Sequence, residues 1–276
     1  FLSISYMLAA QMDVQVNKTS IPITLNEEGI PITINDYGYH LDGFDVDCKG
    51  NFYFITGTNE NQSIIAKYSK DRFLFKKLYK EFDPNRLYIL GDTLIVFDPI
   101  SQRNNLIFVN SNNGEIINIR RNLLSKNINS YAFYNQYLVL EIYDSKNIVD
   151  MDPKYYYYDL NGCLAKINDE DFGIFNGVDL PIGSMMNLAP LVYIDEWNKK
   201  FLYYTVDLDN FDMMFILYNP LNKNKQIQRF SQDYFGKQFY DPMLELMKLR
   251  NNKLYILSHE KNKIIVNEMA MRNLFK

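Results

Sequence analysis

The side chains in this sequence best suited to chemistry are carboxylates, and they come in groups. Asp207, Asp209 and Asp212 fall within DLDNFD, and Asp144, Asp150 and Asp152 within DSKNIVDMD. Asp169, Glu170 and Asp171 are consecutive, and Asp98 stands apart. Carboxylate oxygens suit a hard cation, a sugar hydroxyl or a basic protein surface. Calcium can be tested first. DLDNFD has the opening of an EF-hand loop, but Phe211 stands where a third ligand belongs, and no Gly or distant Glu follows in register. No cofactor is expected, calcium being the one that these loops would suit. Zinc is excluded more firmly, because His40 and His259 have no ligand-spaced partners. No G-x-S-x-G elbow, His-based triad or glycine-rich phosphate loop occurs.

These groups acquire a common position only once the elements that carry them are read. Residues Gly43–Tyr79 divide into four short strands, at Gly43–Asp47, Asn51–Ile55, Ser63–Ser69 and Phe73–Tyr79. The same plan recurs from Arg86 to Arg121, from Ser130 to Ile167 and from Pro190 to Phe230, with a fifth unit running to the chain end. Asn113-Gly114 and Asn161-Gly162 supply hairpin turns at matching places. The second strands begin near Gly50, Asp92, Gln136, Lys200 and Lys253, in steps of 42, 44, 64 and 53 residues. Four strands at a period in the forties indicate propeller blades, and residues Asn168–Ala189 account for the long third step as an insertion.

The expected fold is therefore an all-β propeller of four-stranded antiparallel blades over residues 12–276. Six blades are expected. Five is the alternative, in which Ser20–Ile34 completes the fifth blade and covers its open edge. Pro22 and Pro31 confine that segment to an edge or closing position.

In a propeller, the loops joining second to third strands, and those joining blades, share one face. The carboxylate groups all fall in such loops, whereas the opposite turns carry Lys49, Lys70, Arg72, Lys199, Lys200, Lys223 and Lys225. One face should be acidic and long-looped, and the other basic and tight. Asp144, Asp207, Asp209, Asp169 and Asp171 are the expected ligand-binding residues.

Composition narrows the function classes. A net charge of −4 argues against binding driven by nucleic-acid phosphates. The 22 Tyr and 19 Phe favour pleated, half-buried surfaces. Cys48 and Cys163 are too few for a disulfide framework and fall in turns of different repeats. FLSISYMLAA, before Gln11, reads as the end of a secretory apolar region, so residues 1–11 are expected to be a signal-peptide remnant and the protein exported. No segment is long enough to span a bilayer, and a monomer is expected.

In FDVDCKGNFYF, IIAKYS and LFKKLY of the first unit, the residues Asp47, Gly50, Asn51, Tyr53, Lys67 and Tyr68 form a pattern of which later units keep mainly the apolar positions. It resembles the six-bladed NHL/TolB-like propellers of exported Bacteroidota proteins, a resemblance that implies a fold more than an activity. Leu188–Val206 faintly resembles one blade of five-bladed glycosidases. The acid that precedes the proline in that pattern is missing at Leu188-Ala189-Pro190. The functional expectation is thus a non-catalytic binding or scaffold module, with a protein or glycan partner on the long-loop face. The alternatives are a carboxylate-dependent hydrolase or lyase, and a purely structural assembly component.

Overall fold

The structure is a computed structural model. It describes residues 14–23, 30, 33–35, 38–57, 63–80, 82, 86–98, 104–123, 128, 130–134, 136–143, 153–168, 191–231, 233–237 and 246–275. The expected signal-peptide remnant at 1–11 lies outside these residues.

The first strand, β1 (Asn17–Pro22), is followed by a small hairpin of β2 (Thr33–Asn35) and β3 (Gly38–His40). Blade 1 then comprises β4 (Gly43–Val46), β5 (Phe52–Gly57), β6 (Ser63–Tyr68) and β7 (Phe73–Tyr79). Blade 2 comprises β8 (Arg86–Leu90), β9 (Thr93–Asp98), β10 (Asn105–Asn110) and β11 (Ile116–Arg120). Blade 3 is β12 (Ser130–Tyr134), β13 (Tyr137–Tyr143), β14 (Pro153–Asp159) and β15 (Leu164–Asn168). Blade 4 is β16 (Val192–Trp197), β17 (Lys200–Val206), β18 (Met213–Tyr218) and β19 (Lys225–Phe230). Blade 5 takes β20 (Met247–Arg250), β21 (Lys253–Glu260) and β22 (Lys263–Ala270), before a single helical turn α1 (Met271–Leu274).

The fourth strand of blade 5 is β1. It pairs antiparallel with β22, setting Asn17 opposite Glu268 and Ile21 opposite Ile264. First strands of neighbouring blades lie side by side, β4 with β8, β16 with β20 and β20 with β4, so they surround a central channel. The chain is a five-bladed β-propeller. The expected count of six is corrected, because the N-terminal segment completes the fifth sheet instead of starting another. The closing strand begins earlier than the expected Ser20–Ile34, at Asn17, and shares Ser20–Pro22 with it; Pro22 ends it on the rim, where a missing N–H leaves no ladder bond unmade.

The tyrosine and phenylalanine content follows from this ring. A middle strand has blades on both sides, so its alternating side chains are buried on both faces. Phe52 and Phe54 of β5 join Phe44, Tyr255, Leu257 and Val266 between blades 1 and 5. Tyr53 and Ile55 of the same strand join Leu87, Ile89 and Val96 between blades 1 and 2. Equivalent clusters fill the remaining three junctions, around Phe97 and Leu140, Tyr157 and Tyr203, and Phe215 and Leu249. Each fully buried aromatic ring contributes roughly 1.5–3 kcal/mol.

The residues that carry the sequence pattern turn out to be junction fittings. Asp47 Oδ1 accepts the amides of Lys49 and Asn51 at 2.9 and 2.8 Å, which closes the turn that Gly50 makes at φ +80°. A β-carbon at that φ would be strained. The Tyr53 hydroxyl lies 3.1 Å from Asp47 Oδ2 and 3.3 Å from the Ser111 carbonyl oxygen in blade 2. Lys67 Nζ donates to that same carbonyl at 2.9 Å. The pattern staples one blade to the next.

Candidate functional site

Charged side chains on the innermost strands converge in the channel. Asp45 of β4 is fully buried, and its Oδ2 accepts the Ile89 amide of blade 2 at 2.9 Å. Arg250 of β20 donates through Nη2 to that same oxygen at 2.9 Å, and through Nη1 to Asp195 Oδ2 of β16 at 3.1 Å. Its guanidinium also lies 4.8 Å from the centre of the Tyr88 ring of β8. One side chain from blade 5 thereby contacts blades 1, 2 and 4. The planar fork of arginine suits this role, since its nitrogens reach two carboxylates while its face covers an aromatic ring.

Two further cations share the channel. Arg86 of β8 stacks 4.8 Å from the centre of the Tyr131 ring of β12. Lys248 of β20 lies one alternation above Arg250 on the same strand. Burial pulls its ammonium down to about 8. The carboxylates Asp45 and Asp195 act against this, and the positive charges of Arg250 and Arg86 reinforce it. Burial also lowers the Arg86 guanidinium and raises the Asp195 carboxyl, the latter partly offset by Arg250. For Arg250, burial is outweighed by Asp45 and Asp195, which hold it above its ordinary value. The described channel network thus gathers Asp45, Arg86, Asp195, Lys248 and Arg250.

This arrangement has clear chemical limits. Asp45 and Asp195 accept from the two terminal nitrogens of one guanidinium, so both face the same side chain. A glycosidase pair needs one carboxyl protonated and both facing a substrate, and Asp45 has no solvent-exposed surface.

The residues expected from the sequence lie elsewhere. Asp144, Asp169 and Asp171 fall outside the described residues. Asp207 and Asp209 are in the β17–β18 connection, on the long-loop face as expected, but the structure divides their roles. Asp207 is buried, its Oδ1 accepts the Asp209 amide at 3.0 Å, and its Oδ2 lies 3.8 Å from Arg229. It organises the loop, whereas Asp209 is exposed. Asp98 is likewise buried and accepts from Asn105 at 3.1 Å. Among the described residues no three His, Cys, Asp or Glu side chains gather where they could hold a metal ion. No helix among them is long and apolar enough to cross a membrane.

No family model matches the chain, and no curated protein matches it. Several solved structures are similar in architecture. One, from Bacteroides fragilis and described as an exported protein, is 12% identical, with 84% of this chain and 77% of that chain covered, at a TM-score of 0.37. The β-propeller domain of the Trilobed protease from Pyrococcus furiosus is 11% identical, with coverage of 81% and 64% and a TM-score of 0.34. A chain of a mitotic checkpoint complex is 9% identical, with coverage of 91% and 95% and a TM-score of 0.42. At such identities the likeness concerns the fold, and no activity is transferred.

Proposed function

We propose that this protein is an exported, non-catalytic β-propeller that binds a glycan or a protein partner on its long-loop face. The observation that supports this reading most is the inequality of the two faces. On the tight face, two-residue connections join Leu90 to Thr93, Trp197 to Lys200 and Arg250 to Lys253. On the other, residues 144–152 join β13 to β14, and residues 169–191 join blade 3 to blade 4. Long connections anchored on a closed scaffold are where propellers can vary contacts without disturbing the core. The acidic residues Asp144, Asp169, Asp171 and Asp209 give that face its chemistry, while Asp207 shapes the loop that presents Asp209.

A thermal-shift screen against calcium and a glycan panel, followed by affinity capture with the intact chain, tests the proposal. A ligand of the folded state raises the melting temperature by mass action. The expected result is a shift or a captured partner that weakens in Asp144→Ala and Asp209→Ala, with no product formed. Release of a cleaved glycan would replace this reading with the carboxylate-dependent hydrolase. Neither ligand nor partner would leave the structural assembly component.

A further inference from the structure

We propose that a cleft between blades 2 and 3, on the tight-turn face, is a binding site for a neutral saccharide. Its volume is about 420 Å³, within the range of small-molecule sites. One wall is the face of blade 2, where the register sets Leu90 opposite Thr93 and Ile95 opposite Phe108. Two turns of blade 3 make the other wall, with Gln136 on the first and Asp159, Leu160 and Asn161 on the second. The reason for a cleft here lies in the sequence. At the junction of blades 1 and 2, the cross-strand pair Tyr53 and Lys67 reaches the Ser111 carbonyl, at 3.3 and 2.9 Å. Tyr53 pairs with Asp45 of its first strand as Ile95 pairs with Tyr88, so Ile95 and Phe108 hold the same two places one blade on. Neither carries a hydrogen-bond donor, and the staple cannot be repeated. The receiving turn is also one residue shorter, closing from Asp159 to Cys163 where its counterpart closes from Asn110 to Glu115. The lining has two kinds of surface. Leu90 is 45% exposed and Phe108 is half-buried. Asp159 Oδ1 accepts the amides of Asn161 and Cys163 at 2.9 and 2.8 Å, whereas its Oδ2 and the side-chain amides of Gln136 and Asn161 bond to no described residue. A sugar ring has an apolar C–H face, which suits Phe108 and Leu90. Its edge of hydroxyls both donates and accepts, which suits two amides and a carboxylate oxygen. Among the described residues no lysine or arginine lines the cleft, and Asp159 repels an anion, so the saccharide is an uncharged one.

The cleft is on the face opposite the long loops, and the experiment separates the two. The intact chain is titrated with glucose, galactose, mannose, N-acetylglucosamine and short oligomers of each, and followed by saturation-transfer NMR. At least one should bind, more tightly than glucuronate or galacturonate, with transfer strongest to the C–H protons of one sugar face. In Gln136→Gly the affinity should fall about 2- to 10-fold, the usual worth of one hydrogen bond. Gln136 has a φ of +64°, which glycine adopts without strain, so this variant keeps its fold. Thr93→Trp fills the cleft and should abolish binding, while Asp209→Ala should bind like wild type. No binding of any neutral sugar by wild type at tens of millimolar overturns the proposal, as does tighter binding of the uronates. Undiminished binding by Gln136→Gly and Thr93→Trp also overturns it. If Asp209→Ala weakens that binding instead, the sugar belongs to the long loops, and only the long-loop reading stands. Should Thr93→Trp fail to fold, Gln136→Gly and Asn161→Ala decide in its place: unchanged affinity in both overturns the site.

Discussion

Arg250 and Asp45 meet at 2.9 Å across the junction of the last blade with the first, at a point where Asp45 has no contact with solvent. Removing the guanidinium leaves a carboxylate buried without its cation. Arg250→Met should therefore destabilise the fold by about 3–5 kcal/mol, the usual cost of breaking a buried pair from one side. Arg250→Lys should recover only part of this, because an ammonium cannot serve two carboxylates and cover Tyr88 together. Asp195→Asn should cost less than Arg250→Met, since the Asp195 side chain is 33% exposed. Urea unfolding of the four proteins checks the order.

Ring closure by β1 predicts a second effect. Ile21 is 2% exposed and sits opposite Ile264. Ile21→Ala should cost about 2–5 kcal/mol, and deleting the segment through Ile23 should lower the melting temperature of the whole ring. The deletion also uncovers the edge of β22, so the truncated protein should self-associate. Calorimetry together with light scattering reads both. A truncated protein that melts like wild type would remove β1 from the folding unit.

The pH dependence has a predictable sign. Lys248 falls to about 8 from an ordinary 10.5, first because burial strips its hydration. Between those values the unfolded chain holds a proton that the folded chain has lost, so stability rises with pH. Above about pH 10 the direction reverses, because burial raises Tyr53, Tyr79 and Tyr204 and they keep protons that the unfolded chain releases. A maximum near pH 10 is expected. Lys248→Met should reduce the rise, leaving the part due to Lys67, which burial also lowers, and should leave the decline. Melting temperatures across that range, at constant ionic strength, measure it.

Asp207 and Asp209 should separate under mutation. Asp207→Ala removes the acceptor that fixes the Asp209 amide and should cost on the order of 1 kcal/mol. Asp209→Ala, on an exposed side chain, should leave stability within about 0.5 kcal/mol of wild type. If Asp207→Ala proves neutral in chemical denaturation, its turn is held by backbone contacts alone.

The blades were legible because alternating apolar residues repeat within each one, separated by short turns rich in Asn, Asp, Gly and Lys. The number of blades was not. Asn17–Pro22 is an edge strand of which only Ile21 is buried, so its sequence, NKTSIP, carries almost no apolar period. The channel network was hidden for a different reason. Its members stand at 45, 86, 195, 248 and 250, spread over four of the five blades, and assemble only when the ring closes. The single local clue is a charge inside a short apolar strand, as in GFDV, VYIDEW and MKLR. The carboxylate spacing of DLDNFD was visible, but spacing cannot say which oxygen turns inward to hold its own loop.

Asn17 and its partner Glu268 are 251 residues apart, and this has a consequence for synthesis. Until β22 leaves the ribosome, β1 has no strand to join. At ordinary elongation rates that interval is on the order of tens of seconds. During it, four complete blades can form behind an unmatched leading strand. Whatever holds that strand apart from other chains in the meantime, in the cell that makes it, decides how much of the protein reaches its closed form.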